Sequence, residues 1–127
     1  MTDFPIVGAK FRPPAAGILA ILPAGARLVA RRESTNQYDA NAIQVVWPTE
    51  VAQFVTKLEA INDVLVGYGT TLSALADQPE WHLGYVPRAD AATLAPRMDA
   101  AQRPTLSGQL TFSASGNPRI ALTESLP

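Results

Sequence analysis

Asn36-Gln37-Tyr38-Asp39-Ala40-Asn41-Ala42-Ile43 runs straight into Gln44-Val45-Val46-Trp47-Pro48, and this junction decides how the chain is read. Asp39 and Asn41 are residue types whose side chains bond their own backbone a residue or two onward, which fixes a turn. The β-rich stretch Ala42 to Trp47 that follows is closed by Pro48, so a tight turn feeds a strand. Upstream, Ala26 to Arg32 alternates Leu28, Ala30 and Arg32 against Arg27, Val29 and Arg31, the period of a second strand. These two strands are expected to pair through the loop between them, leaving Tyr38 at a rigid corner. Arg31 and Arg32 then fall on opposite faces. Leu83-Gly84-Tyr85-Val86-Pro87-Arg88 repeats the logic: Gly84 allows close packing, Pro87 ends a strand and Arg88 opens toward a helix.

Phe4 to Phe11 reads as a strand interrupted at Gly8, and Arg12-Pro13-Pro14 ends it. Ala15 to Leu22 is apolar and bounded by prolines, too short to assign as a helix. Val51 to Asp63 places Val51, Phe54, Val55, Leu58 and Ile61 at helical spacing, an amphipathic helix. Val64 to Tyr68 reads as a further strand, Thr70 to Ala76 as a helical turn and His82 to Val86 as a short strand. Asp90 to Ala101 forms a second helix through Ala91, Leu94, Ala95 and Met98, interrupted by Pro96. Leu106 to Phe112 and Arg119 to Thr123, separated by Ser113-Ala114-Ser115-Gly116-Asn117, read as a closing hairpin. The predicted fold class is mainly β with minor α: a small, six-stranded, partly open barrel of the OB type, with a mainly helical segment inserted at about 49–81.

A chain of 127 residues fits one domain spanning 1–127. Hydrophobic content of 47% against 17% charged residues is globular, without the long apolar run of a membrane span. Cysteine is absent, which removes disulfides, thiolate nucleophiles and cysteine metal sites. Met1-Thr2-Asp3-Phe4-Pro5 lacks the features of a secretion signal, so the expected location is cytoplasmic and no membrane partner is expected. The net charge of −1 conceals a division. Lys10, Arg12, Arg27, Arg31 and Arg32 form a wholly basic run, whereas residues 49–81 hold Glu50, Glu59, Asp63, Asp77 and Glu80 against only Lys57. Outside that segment nine basic groups face six acidic ones, a modest basic surface for phosphate.

Catalytic constellations are scarce. His82 is the only histidine, no serine sits in a Gly-x-Ser-x-Gly elbow, and the carboxylates are scattered rather than clustered for metals. Gly67-Tyr68-Gly69 lacks the lysine and the length of a phosphate-cradling loop. No catalytic residue, metal or cofactor is implied, and the chain does not read as an enzyme.

Four pieces, in order, give the chain a resemblance to the HIRAN domain family: Val7-Gly8-Ala9-Lys10-Phe11, Leu28-Val29-Ala30-Arg31-Arg32-Glu33, Asn36 to Ile43, and Leu83 to Arg88 before a helix. The resemblance covers most of the chain outside 49–81, in the manner of a free-standing bacterial or mobile-element member. It implies an OB-like barrel that binds single-stranded DNA or a free 3′ DNA end, associated with DNA repair or replication and with a helicase or nuclease as partner. By position, Phe11 matches a base-stacking aromatic, Lys10 a basic residue near phosphate, and Tyr38 a second aromatic against the terminal nucleotides. Asp39 matches the carboxylate that accepts from the 3′-hydroxyl. Tyr85 stands where helicase-associated members carry histidine, Phe112 falls near a further pocket aromatic, and Arg88 belongs to the same binding set. Lys10 and Phe11 replace arginine and tyrosine, which loses a guanidinium fork and a hydroxyl.

Read from the residues alone, Phe11 and Phe112 belong to the core; half-buried packing is the alternative to a site role for Tyr38 and Tyr85, and holding the turn is the alternative to a ligand role for Asp39 and Asn41. The alternative function is a protein interaction or oligomerisation module without DNA binding. It would expose Phe54, Val55, Leu58 and Ile61 as an apolar patch, and the oligomeric state is left open.

Overall fold

The structure is a computed structural model that describes residues 2–126, the Val55 side chain excepted. Six strands form one antiparallel sheet in the order β1-β6-β5-β2-β3-β4, curled into an OB-like half-barrel. They are β1 (Asp3–Pro5), β2 (Arg27–Arg32), β3 (Ile43–Pro48), β4 (Glu80–Tyr85), β5 (Thr105–Phe112) and β6 (Pro118–Leu122). Four helices accompany them: α1 (Pro13–Ile21), α2 (Leu58–Val66), α3 (Leu72–Ala76) and α4 (Arg88–Ala100). The pairing of β2 with β3, with Ala30 opposite Val45, and the β5–β6 hairpin are as the alternation predicts. Inward positions Leu28, Ala30, Ile43, Val45, Trp47, Leu83, Leu106, Leu110 and Ile120 are buried, and Ile18, Leu65, Leu75, Leu94 and Met98 of the helices pack with them.

The first predicted strand is only partly a strand. Gly8 adopts a left-handed conformation, φ 86°, and the chain turns there into a 3-10 turn at Ala9–Phe11. Phe11 N donates to the Gly8 carbonyl at 3.1 Å and Arg12 N to that of Ala9 at 3.0 Å. Val7 keeps a bridge to Tyr85, donating to its carbonyl and accepting from its N–H, each at 2.9 Å. That bridge needs Gly84, where a Cβ would lie 2.4 Å from the Val7 carbonyl oxygen. The apolar stretch after Pro13-Pro14 is helix α1, with Pro at its first positions, where no helical N–H is lost.

Residues 49–81 are helical but differ in detail from the expectation. Val51–Lys57 is a 3-10 helix, and the α-helix begins only at Leu58. The change from 3.0 to 3.6 residues per turn rotates the apolar stripe, so Phe54 and Ile61 are buried while Leu58 is exposed. Val64 to Tyr68 is not a strand: α2 continues to Val66 because Ile61 and Leu65, one turn apart, bury together, which overrides the β-propensity of the valines. The segment packs on α1, where Gly17 lies so close to Tyr68 that a Cβ would meet the tyrosine Cβ at 2.9 Å. Its ends are pinned together by Thr49 N to the Pro79 carbonyl at 3.0 Å and Thr49 Oγ1 to that of Gln78 at 2.8 Å. Trp81 Nε1 ties β4 to α3 through the Leu75 carbonyl at 2.8 Å. Helix α4 runs unbroken through Pro96, since Ala91, Leu94, Ala95 and Met98 bury a continuous face around the missing hydrogen bond.

Candidate nucleic-acid interface

The turn before β3 is built by side chains. Asn36 Oδ1 accepts from the backbone N–H of Tyr38 at 2.8 Å and of Asp39 at 3.0 Å, and Asp39 Oδ1 accepts from Asn41 N at 2.9 Å. Asp39 therefore bonds onward as its residue type predicts, but the second holder is Asn36 and not Asn41. Arg32 clamps the same loop from below, donating to the carbonyls of Ala42 at 2.9 Å and Ala40 at 3.0 Å while paired with Asp99 of α4. With its backbone fixed, Tyr38 stands 82% exposed. At that exposure the ring is not half-buried, which sets aside the packing alternative for Tyr38.

Glu33 connects this turn to β4. Its carboxylate accepts from Asn36 Nδ2 at 2.6 Å, from the Tyr85 hydroxyl at 2.9 Å and from Gln44 Nε2. Burial raises the Glu33 pKa, and the three hydrogen bonds more than offset it, leaving the group below its ordinary value. Burial and the bond to Glu33 push the Tyr85 hydroxyl up. His82 meets the Tyr85 ring edge-on at 4.8 Å and its Nε2 lies 2.8 Å from the Gly84 carbonyl. Burial, then the nearby Arg12, lower the His82 pKa, so the imidazole stays neutral.

Between the turn and β4 opens a mainly apolar cleft of about 230 Å³, lined by Val7, Asn36, Tyr38, Asp39, Ala42, Tyr85, Val86 and Arg88. Thus Tyr38, Asp39, Tyr85 and Arg88, from two stretches forty residues apart, share one cleft. Arg88 Nε sits 3.8 Å from Asp39 Oδ2, a loose contact that leaves this oxygen able to accept. Lys10 and Phe11 stand just beyond Val7 on the 3-10 turn. Phe11 is 78% exposed, with Lys10 Nζ 5.1 Å from its ring centre. Phe112, at the far end of β5 opposite Pro118, is 40% exposed and is not part of the cleft lining. The core reading of both phenylalanines from residue type is therefore corrected: the Gly8 turn carries Phe11 out of the sheet, and Phe112 ends its strand. No residue of 49–81 lines the cleft. Glu80, the acid of that segment on β4, is paired with Arg31 at 2.5 Å.

Glu33, Asn36, Gln44, Arg12 and His82 were not singled out as site residues by sequence. Only Asn36, inside the motif, carried a local signal; Glu33, Gln44 and His82 meet through strand pairing, and Arg12 is brought in on the 3-10 turn that the Val7 bridge docks. A larger cavity of about 640 Å³ lies elsewhere, between β1, α4 and the last residues, lined by Phe4, Leu94, Arg97 and Glu124 among others, and shares no residue with the cleft. Among the described residues no group of histidine and carboxylates is arranged to hold a metal, and no helix is long and apolar enough to cross a membrane.

The chain matches the model of the HIRAN domain over residues 1–121. It is similar to a crystal structure of a protein from Lactobacillus plantarum, with a TM-score of 0.59 and 25% sequence identity over 96% of this chain and 89% of the other. No curated protein matches it. With the motif residues gathered on one rim of an OB-like half-barrel and the family model spanning nearly the whole chain, this protein belongs to the HIRAN domain family, whose members are nucleic-acid-binding domains and not typically catalytic.

Proposed function

We propose that the protein binds single-stranded DNA without enzymatic activity, and that its cleft takes the terminal nucleoside of a free 3′ end. The observation that carries this reading is Tyr38, held in water at 82% exposure by a turn that Asn36, Asp39 and Arg32 make rigid. A pre-oriented aromatic loses little entropy when a base stacks on it, and such stacking contributes about 1 to 3 kcal/mol per base in any sequence. Asp39 supplies discrimination. Its Oδ1 is occupied by Asn41 N, while Oδ2 faces the cleft rim beside Arg88. A carboxylate there accepts from a terminal hydroxyl and repels a continuing phosphate, which favours an end over an internal position. Phe11, Lys10 and Tyr85 extend the surface, and Arg88 offsets the Asp39 charge toward the backbone. A helicase or nuclease is the partner that this role would serve.

The interaction-module alternative loses support from the burial of Phe54 and Ile61 in the chain's own core; of the other two members of that face, Leu58 is exposed and the Val55 side chain lies outside the described residues. Titration of a fluorescent single-stranded oligonucleotide at low salt tests the proposal. Salt-sensitive binding by the wild type, lost in the Tyr38→Ala/Asp39→Ala double variant, is the expected result. No binding by the wild type, or equal affinity of the double variant, would refute it.

A further inference from the structure

Arg12 is the most consequential residue that the motif comparison leaves without a role. Its guanidinium lies 5.7 Å above the centre of the Tyr85 ring. The opposite constraint on that ring is firm: its hydroxyl donates to Glu33, and His82 meets it edge-on. Each acid nearby is spent elsewhere, since Glu33 accepts from Asn36, Tyr85 and Gln44, and Glu80 is paired with Arg31. Among the described residues no carboxylate lies within ion-pair distance of Arg12, in contrast to Arg31, Arg32, Arg88, Arg103 and Arg119. A cation placed on an aromatic and left without a counter-ion is a prepared anion site.

The backbone prepares it further. Arg12 precedes Pro13, and the ring of a proline keeps the residue before it out of the helical region. Arg12 accordingly has φ −130° and ψ 88°, and because Pro13 and Pro14 start α1 without N–H groups, the guanidinium supplies the donors at this point of the chain. The Arg12-Pro13-Pro14 run is thus a stiff bracket that aims one guanidinium at the Tyr85 ring. Tyr85 also lines the 230 Å³ cleft, so the cleft and the guanidinium share a wall. Lys10, two residues earlier, is a point charge leaning on Phe11 and offers no planar fork.

We infer that Arg12 grips the internucleotide phosphate on the 5′ side of the terminal nucleoside seated in the cleft, supplying from position 12 the bidentate guanidinium that Lys10 does not provide. This rests on the single-stranded DNA reading above and names a specific contact within it. The phosphate would take the counter-ion place above Tyr85, and one planar group would both cover the ring and hold the anion.

The test compares Arg12→Gln and Arg12→Lys with the wild type on two oligothymidylates with free 3′ ends, one fully charged and one carrying a neutral methylphosphonate nearest the 3′ terminus. On the charged strand, Arg12→Gln should weaken binding about tenfold or more, and lower the slope of log affinity against log salt by about 0.7, the value for one phosphate on a single strand. Arg12→Lys should keep the slope and lose part of the affinity. On the methylphosphonate strand the three proteins should bind alike. Equal affinities on the charged strand, or an Arg12→Gln loss that persists unchanged on the neutral one, would overturn the inference by reducing Arg12 to support for Tyr85, while leaving the DNA-binding reading intact. If Arg12→Gln does not fold, the charged and neutral strands compared with Arg12→Lys decide the question in the same way. Failure of the wild type to bind either strand would remove the DNA-binding reading itself.

Discussion

Phe54 and Phe11 are the same residue type in two regions of opposite character, and they end in opposite environments. Phe54, in the acidic segment, is 4% exposed, with its ring 6.4 Å from that of Trp47, whereas Phe11, on the binding rim, is 78% exposed. The segment buries Phe54, Ile61, Leu65, Leu72 and Leu75 while leaving Leu58, Val64, Val66 and Tyr68 exposed, and most of its acids face outward. The rim instead fixes its backbone with polar side chains and leaves its aromatic rings in water. Exposed aromatics on a stiff rim cost hydration free energy with no return in the free protein, which points to a ligand as their partner. The acidic segment is also absent from the cleft lining, so its charge does not cover the rim.

The largest effect that sharpens this contrast is on stability. Phe54→Ala should cost about 3 to 5 kcal/mol, the usual range for emptying a buried phenylalanine site, with DNA affinity of the folded protein unchanged. Phe11→Ala should move stability by no more than about 0.5 kcal/mol while weakening binding. Urea denaturation of both variants checks this, and equal losses of stability would dissolve the distinction between the regions.

Next in size is Gly84→Ala. Its Cβ would lie 2.4 Å from the Val7 carbonyl oxygen and push apart the bridge that holds the 3-10 turn against Tyr85. A loss of about 1 to 3 kcal/mol is expected, as for other overpacked sites, together with weaker DNA binding, because Phe11 and Arg12 are carried on that turn. Unchanged stability and binding would show that the rim does not depend on the bridge. Tyr38→Ala should then reduce binding by about 1 to 3 kcal/mol and leave the thermal midpoint in place, measurable by anisotropy and by circular dichroism on the same sample.

The smallest effect is the dependence on acid. His82 has its pKa lowered below 6.5 by burial and then by Arg12, so between 6.5 and that lower value the unfolded chain binds more protons than the folded one. Stability therefore falls as pH drops through this window. Glu33 and Glu80 are held below 4.5, Glu33 by three hydrogen bonds that outweigh burial and Glu80 first by Arg31. Their contribution is present above 4.5 and is lost as pH falls through the lowered values. Denaturation midpoints recorded from neutrality into acid should decline in two stages, and Glu33→Gln should flatten the second. A midpoint that rises on acidification would contradict the assignments.

The local patterns in the sequence carried much of this. Alternation over Ala26 to Arg32 and the closing hairpin identified strands correctly because each is set by nearest neighbours and a turn. The turn at Asn36 to Ile43 was legible for the same reason. Phe4 to Phe11 departs from its strand reading because the interruption seen at Gly8 is a left-handed turn that leads the chain out of the sheet, and Val64 to Tyr68 because helix period and β-propensity compete over a short run. Glu33, Arg12 and His82 were missed for a different cause. They become a cluster only when β4 pairs with β3 and the Val7 bridge docks the 3-10 turn, contacts between residues far apart in the chain that no local spacing encodes.

The central claim is that Tyr38 and Asp39 together recognise the end of a DNA strand. The most direct measurement is a competition between two otherwise identical single-stranded oligonucleotides, one with a free 3′-hydroxyl and one blocked by a 3′-phosphate, against wild type and Asp39→Asn. The wild type should prefer the free hydroxyl, and Asp39→Asn, which keeps the shape but not the charge, should lose most of that preference. Equal affinity of the wild type for the two strands would contradict it.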